Sequence, residues 1–398
     1  MYLAPPCVLS QRSHRDGLPQ TYSYSMIHMK ARPERPCITS NEKPPRRFVR
    51  KHKRPTDLKV GSSESPVPIV DFGPFYTGDD AVKKAVAERL DEALHTVGFV
   101  YLKNHGVPQE KVDKAFEWSK RFFALPTDVK MLAPHPPGGS HHRGYSGLGI
   151  EKVSQHVFDE EALTALREVP DVKESYETGN TTDERQPNIW LPDDALPGFR
   201  AYMEAFFEDC AAMTHTLLRV LALSLSLPSA EYLSAAHSTS PFQLRLLHYP
   251  PVPVRALTTH RTHSRIGAHS DFGSLTLLFQ DDVGGLEVED PCAPGTFRAA
   301  PPVPGTLLVN VGDLMERWSN GRWRSTVHRV GAPPAGEHGE EEAMCRARYS
   351  IPFFSAPNDD AVIEALPGCW DDKSNPKKYE AVTAEQYVSM RMAALYAS

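Results

Sequence analysis

Only six cysteines occur in 398 residues (Cys7, Cys37, Cys210, Cys292, Cys345 and Cys369), and none form a CxxC pair. That excludes a disulfide-built scaffold and a zinc ribbon, and fits a reducing compartment. No apolar run approaches the roughly 18 residues that a membrane-spanning helix needs, so such a span is excluded. The opening MYLAPPCVLSQR holds too short an apolar stretch for a secretory leader. No repeat of fixed period is present. Proline, by contrast, is abundant at 36 residues, which limits long helices and favours a loop-rich or β-rich body. With 40% hydrophobic and 24% charged residues the chain has enough apolar material for a globular core.

Charge is unevenly placed. Residues 1–60 hold 13 Lys and Arg against four acids, so they carry +9, leaving −15 on residues 61–398 of the total −6. An acidic body argues against a general nucleic-acid binder. Residues 1–65 show scattered Pro, Ser and basic residues without apolar period and read as a disordered basic extension. Within it, PPRRFVRKHKRP (Pro44 to Pro55) matches a nuclear signal or anion-binding patch, although composition favours a solvated tail. Arg and Ser with one acid in residues 1–33 also leave a mitochondrial leader open. The expected location is cytoplasmic, with nuclear and mitochondrial alternatives.

The folded body is expected from about residue 66. PIVDF (Pro68 to Phe72) alternates like a strand. Apolar spacing predicts helices over Ala81–His95, Lys111–Phe123, Pro197–Leu227 and Thr383–Tyr396. His135 to Gly149 is rich in Pro, Gly and His and reads as a loop. From Phe242 to Phe354 short runs such as QLRLLHY, SLTLLFQ, GTLLVNV, STVHRV and RYSIPFF alternate with turns, as in an antiparallel sandwich or barrel. This divides the body into a mostly helical region, 66–235, packing on a catalytic core, 236–398, in one compact whole.

The informative chemistry lies in IGAHSDFGSLTLLFQ. On a strand, residues two apart point the same way, so His269 and Asp271 put an imidazole and a carboxylate on one face. His328 lies on another expected strand. Two His and one carboxylate on one side of an octahedral metal leave three positions open, which suits iron(II); zinc would want a tetrahedral set. Arg348 and Ser350, in RYSIPFF, again share a face. A fixed guanidinium beside a hydroxyl can clamp a carboxylate, and the apolar flank implies burial, so Arg348 needs a partner. Tyr249, in LLHYPP, is placed to join that clamp or to serve as a core tyrosine. His260 and His263 read as loop residues, His141 and His142 as a mobile surface pair, and 337–342 as a charged hairpin tip. Cys292 and Cys345 lack a nearby base, so they are poor nucleophile candidates.

The order HxD, distal His and RxS resembles the 2-oxoglutarate- and iron(II)-dependent dioxygenases, in the branch related to isopenicillin N synthase. GFVYLKNHG, LRLLHYPP, HSDFGSLTLLFQDDVGGLEV, VNVGDLMERWSNGRWRSTVHRV and RYSIPFF carry this resemblance, which covers residues 66–395. It implies a mainly β fold with flanking helices, a double-stranded β-helix or jelly roll. It implies iron(II), 2-oxoglutarate and O2, with His269, Asp271 and His328 as iron ligands. Arg348, Ser350 and Tyr249 would bind the cosubstrate's distal carboxylate, and Asn310 and Asp313 would cap a turn. HRGYSGLGIEKVSQ and DVKESYETG resemble the fungal members, including those of the thymine 7-hydroxylase kind. There an Arg at the place of Arg245 and a Phe at the place of Phe354 contact the pyrimidine. Phe272 stands where that group has a tyrosine, removing a hydrogen-bond partner for a base carbonyl. Arg143 and Tyr145 are candidates for the mouth of the site.

The resemblance implies oxidation of an unactivated C–H bond coupled to decarboxylation of 2-oxoglutarate to succinate, on a small-molecule substrate such as a pyrimidine or a fungal secondary metabolite. An alternative is an iron(II) oxidase that uses no 2-oxoglutarate, in which Arg348 and Ser350 hold a substrate carboxylate. A binding protein with a retired site is opposed by the five intact site residues, and nucleic-acid modification rests on the basic arm alone. Neither a membrane nor nucleic acid is an expected partner, and a monomer is the default.

Overall fold

The computed structural model describes residues 65–137, 141–150, 171–258, 265–332 and 344–396. The basic arm 1–60, His260, His263 and residues 337–342 lie outside the described residues. In chain order the strands are β1 (Ile69–Asp71), β2 (Phe99–Lys103), β3 (Gly144–Ser146), β4 (Glu174–Gly179), β5 (Gln243–Tyr249) and β6 (Val252–Pro253). Then come β7 (Ile266–His269), β8 (Leu275–Gln280), β9 (Leu286–Glu289), β10 (Phe297–Ala299), β11 (Thr306–Val311) and β12 (His328–Val330). The last are β13 (Met344–Cys345), β14 (Arg348–Ser355), β15 (Val362–Ile363) and β16 (Val382–Thr383). An eight-stranded sheet has the order β1-β2-β11-β8-β14-β5-β4-β3 and a four-stranded sheet the order β10-β9-β12-β7. All their pairings are antiparallel except β1–β2. The protein is thus mainly β with helices, and the large sheet draws strands from both sides of residue 236.

Period-two alternation sorts the large sheet's side chains into two cores. In β5, Leu244 and Leu246 join a cluster with the helices, while Leu247 and Tyr249 face the other way. In β11, Leu307 and Val309 go to the helices and Leu308 to the opposite side. That opposite side meets Ile266 of β7, Leu286 and Val288 of β9, and Val330 of β12. The small sheet therefore covers one face of the large sheet, and the helices cover the other.

The helices follow the sequence pattern. Asp80–Thr96 begins where the Asp79 carboxylate accepts from the Val82 amide at 3.0 Å, and buries Val86, Leu90 and Leu94 at helical spacing. Gln109–Phe123 and Phe199–Ser224 occupy the predicted regions; the second buries Phe199, Met203, Phe206, Phe207, Cys210, Met213 and Leu217. One expectation is corrected. Residues 135–149 are not all loop, because β3 pairs with β4, with Tyr145 opposite Tyr176. So short a strand leaves no periodic signal, and it exists because the buried β4 supplies its partner.

Candidate active site

His269 ends β7 and His328 begins β12, and the two are direct partners across that antiparallel pair. Their rings lie 4.3 Å apart between centroids. Asp271 follows just beyond β7, ahead of a bend at 272–274, rather than on the strand itself. Its Oδ1 sits 3.9 Å from His269 Nε2 and 3.8 Å from His328 Nε2. The remaining polar atoms of all three are already engaged. His269 Nδ1 donates to the Gly267 carbonyl at 2.9 Å and His328 Nδ1 to the Thr326 carbonyl at 3.1 Å. Asp271 Oδ2 accepts from Thr276 Oγ1 at 2.6 Å and from Asn310 Nδ2 at 2.7 Å. Each backbone carbonyl fixes a ring tautomer, so two Nε2 lone pairs and one carboxylate oxygen converge on a common point. Their ligand atoms all lie within 4.8 Å of one another.

Electrostatics keep these groups in ligand form. Burial, then the neighbouring His328, pushes His269 down to about 3, so the ring stays neutral. Burial pushes the Asp271 carboxyl up, but His328, His269, Thr276 and Asn310 together hold it below the usual carboxylate range. A neutral His269 beside an ionised Asp271 keeps lone pairs free for a divalent first-row metal. The residues present fit iron(II).

The turn carrying Asp271 is held by close backbone packing. A Cβ on Gly273 would overlap the Ser355 carbonyl oxygen, and one on Gly312 would overlap the Gly273 carbonyl. The Asp313 amide donates to the Asp271 carbonyl at 2.8 Å. Asn310 and Asp313 thus do more than the expected turn capping. Asn310 orients the ligand carboxylate, and Asp313 accepts from Ser325 Oγ at 2.6 Å, from Tyr387 at 3.0 Å and from Arg391. Sequence reasoning missed Thr276 and Arg391. The signal for Thr276 was a hydroxyl two positions after Ser274 on an otherwise apolar strand.

Arg348 opens β14 opposite Tyr249 of β5, and both are 1% exposed. Its guanidinium lies over the Tyr249 ring at 5.0 Å and donates to Ser350 Oγ at 3.1 Å and to Gln280 Oε1 at 3.4 Å. Among the described residues Arg348 Nε has no hydrogen-bond partner. A buried cation whose hydrogen-bond partners are neutral and which keeps an orphaned donor calls for an anion, and a carboxylate matches that fork.

The expected substrate residues divide. Arg245 pairs with the fully buried Glu177 across β4–β5 and lies 5.8 Å over the Phe354 ring. Phe272 lies under the Arg391 guanidinium at 4.6 Å. Arg143 is buried and donates to the Gln186 carbonyl at 3.0 Å, beside Asp183 and Glu177. Tyr145 is engaged elsewhere. It donates to Glu174 at 2.6 Å within a buried group with Lys130 and His248, and packs on Phe122. His142 stands 3.6 Å from Glu177, forming with His135 a second cluster of possible ligands, but Glu177 is committed to Arg245.

Residues 67–193 match the family described as non-haem dioxygenase in morphine synthesis N-terminal, and residues 241–357 match the 2OG-Fe(II) oxygenase superfamily. A 2-oxoglutarate-dependent dioxygenase of Dothideomycetidae sp. is 39% identical over 331 residues, covering 83% of this chain and 97% of the relative. A proline hydroxylase of Petromyces alliaceus is 39% identical over 328 residues, covering 82% and 98%. Among solved structures, the full-length thymine 7-hydroxylase of Neurospora crassa in complex with alpha-KG and thymine is similar, with a TM-score of 0.75 and 37% identity. The match covers 85% of this chain and 100% of that one.

Proposed function

The chain belongs to the 2OG-Fe(II) oxygenase superfamily and is an oxidoreductase that uses iron(II), 2-oxoglutarate and O2 on small molecules; from this premise we propose that it hydroxylates a small molecule bearing an amide or imide carbonyl, with thymine the first candidate. His269, Asp271 and His328 would hold the iron, which supplies the redox chemistry when bound. Arg348, Ser350 and Tyr249 would hold the distal carboxylate of 2-oxoglutarate. The oxidase alternative is disfavoured by relatives named for their use of 2-oxoglutarate. We also propose the double-stranded β-helix, with the facing sheets as its two sides, and a monomeric, cytoplasmic enzyme. A fluorescent fusion with and without residues 1–60 tests the location.

The observation that carries the substrate reading is Arg245, paired with Glu177 and lying 5.8 Å over the Phe354 ring. Glu177 offsets the guanidinium charge, so Arg245 presents N–H donors above an aromatic face without a net charge. That suits a planar neutral carbonyl compound better than a free carboxylate. The hydroxyl absent at Phe272 removes one donor and loosens discrimination among such compounds. A second reading, oxidation of proline or a prolyl metabolite, follows the proline hydroxylase relative. The test is succinate formation from 2-oxoglutarate with thymine, uracil derivatives, proline and prolyl amides. Stimulation by the planar carbonyl compounds, lost in Arg245→Leu, supports the proposal; stimulation by free proline alone overturns it.

A further inference from the structure

Arg265 stands immediately before β7 and is 0% exposed. Its Nη2 donates to the Arg346 carbonyl at 2.8 Å, two positions ahead of Arg348. Among the described residues its Nε and Nη1 have no hydrogen-bond partner. Among the described residues a carboxylate that acts on it, Asp281, is occupied, with Oδ2 accepting from the Tyr349 amide at 2.6 Å and Oδ1 from the Val283 amide at 3.1 Å. Burial pushes the guanidinium down, and the charge of Arg348 adds to that. Two buried guanidiniums therefore flank a single tyrosine ring, Arg348 at 5.0 Å and Arg265 at 5.8 Å from the Tyr249 centroid. Among the described residues neither has a carboxylate of its own.

The register of β7 against β12 shifts between Ile266 and His269, so the strand is irregular just after Arg265. Arg265 shares the Tyr249 ring with Arg348, the candidate carboxylate clamp. Like charges in a dry interior repel until an anion joins them.

We propose that Arg265 is a second cation for the distal carboxylate of 2-oxoglutarate, acting beside Tyr249 together with Arg348. This rests on the reading of Arg348 as the carboxylate clamp. Arg265 then serves to discriminate 2-oxo diacids from 2-oxo monoacids, a task that a lone clamp performs less sharply.

Calorimetric titration of the full iron(II) protein without oxygen, using 2-oxoglutarate and 2-oxovalerate, tests this. The second compound keeps the keto acid and lacks the distal carboxylate. Arg265→Met is expected to weaken 2-oxoglutarate by about tenfold, the loss of one charged hydrogen-bonded contact, and to leave 2-oxovalerate within about twofold. Arg265→Lys is expected to lose about threefold, keeping the charge and losing the fork. Equal weakening of both compounds, or no change in either, makes Arg265 a structural residue and overturns the proposal. If Arg265→Met does not fold, Arg265→Lys decides on the same ratio of affinities. Arg348→Met separates the two readings: unchanged 2-oxoglutarate binding there removes the clamp itself, whatever Arg265 does.

Discussion

At the residue scale the metal site is set by what binds the other end of each ligand. Without Asn310 and Thr276, Asp271 is free to rotate either oxygen toward the His pair. Partners of this kind are worth roughly 10- to 100-fold in metal affinity. Asn310→Leu is therefore expected to weaken iron(II) binding by about that factor, while Asp271→Asn abolishes it. Titration of metal-free protein, followed by tryptophan fluorescence, checks both. An Asn310→Leu affinity equal to wild type would show that the carboxylate orients without this bond. The triad residues were legible from HxD and the distal His, although Asp271 reaches the pair from just beyond the strand and is held there by Thr276 and Asn310. Arg265 was not legible, because an arginine before a strand carries no sign of burial in its local sequence.

At the element scale the C-terminal helix Ala384–Tyr396 reaches the metal turn. Arg391 pairs with Asp313, lies over Phe272 and approaches Ser270 Oγ at 3.5 Å. Ser270 and Phe272 bracket Asp271 in the chain. Breaking a buried ion pair on one side costs about 3–5 kcal/mol, because the other charge is left buried and unpaired. Arg391→Leu is expected to lower unfolding stability by that amount, measured by urea denaturation, and Arg391→Leu with Asp313→Asn to recover part of it. No recovery in the double variant would mean that Arg391 acts by packing alone. The helix was predicted, but its partner was not, since 78 residues separate Arg391 from Asp313. The strand β3 escaped sequence reading for a similar reason: its support, β4, lies well beyond it along the chain.

At the scale of the whole molecule, buried titratable groups tie stability to pH. His237 bridges the helical layer to the β8 lead-in, its Nδ1 to the Leu233 carbonyl at 2.7 Å and its Nε2 to Ser274 Oγ at 2.8 Å. Burial pushes it down to about 4, with His215 adding to that. Below about pH 6.5 the unfolded chain takes up this proton and the folded protein does not. Stability present above about pH 6.5 is therefore lost progressively as pH falls toward 4, up to about 3 kcal/mol from this group. Urea midpoints of wild type and His237→Gln across the mildly acidic range below neutrality check the sign: the variant curve should be flatter. Parallel curves would assign the acid sensitivity to other groups.

Read along the chain, the residues suffice for the reaction class and for the candidate metal and clamp residues, because each is written in short-range spacing on strands and in one distal histidine. The long helices and the β texture of residues 242–354 are likewise legible, through their apolar periods. Which charges are left without partners and which are cancelled emerges only once the chain has folded. Arg245 and Glu177, distant in the chain, neutralise each other across β4–β5, whereas Arg265 and Arg348, also distant in the chain, are buried beside one tyrosine and form no ion pair among the described residues. Charge compensation in a dry interior depends on distance through space, and chain order does not encode that distance until the sheets have closed.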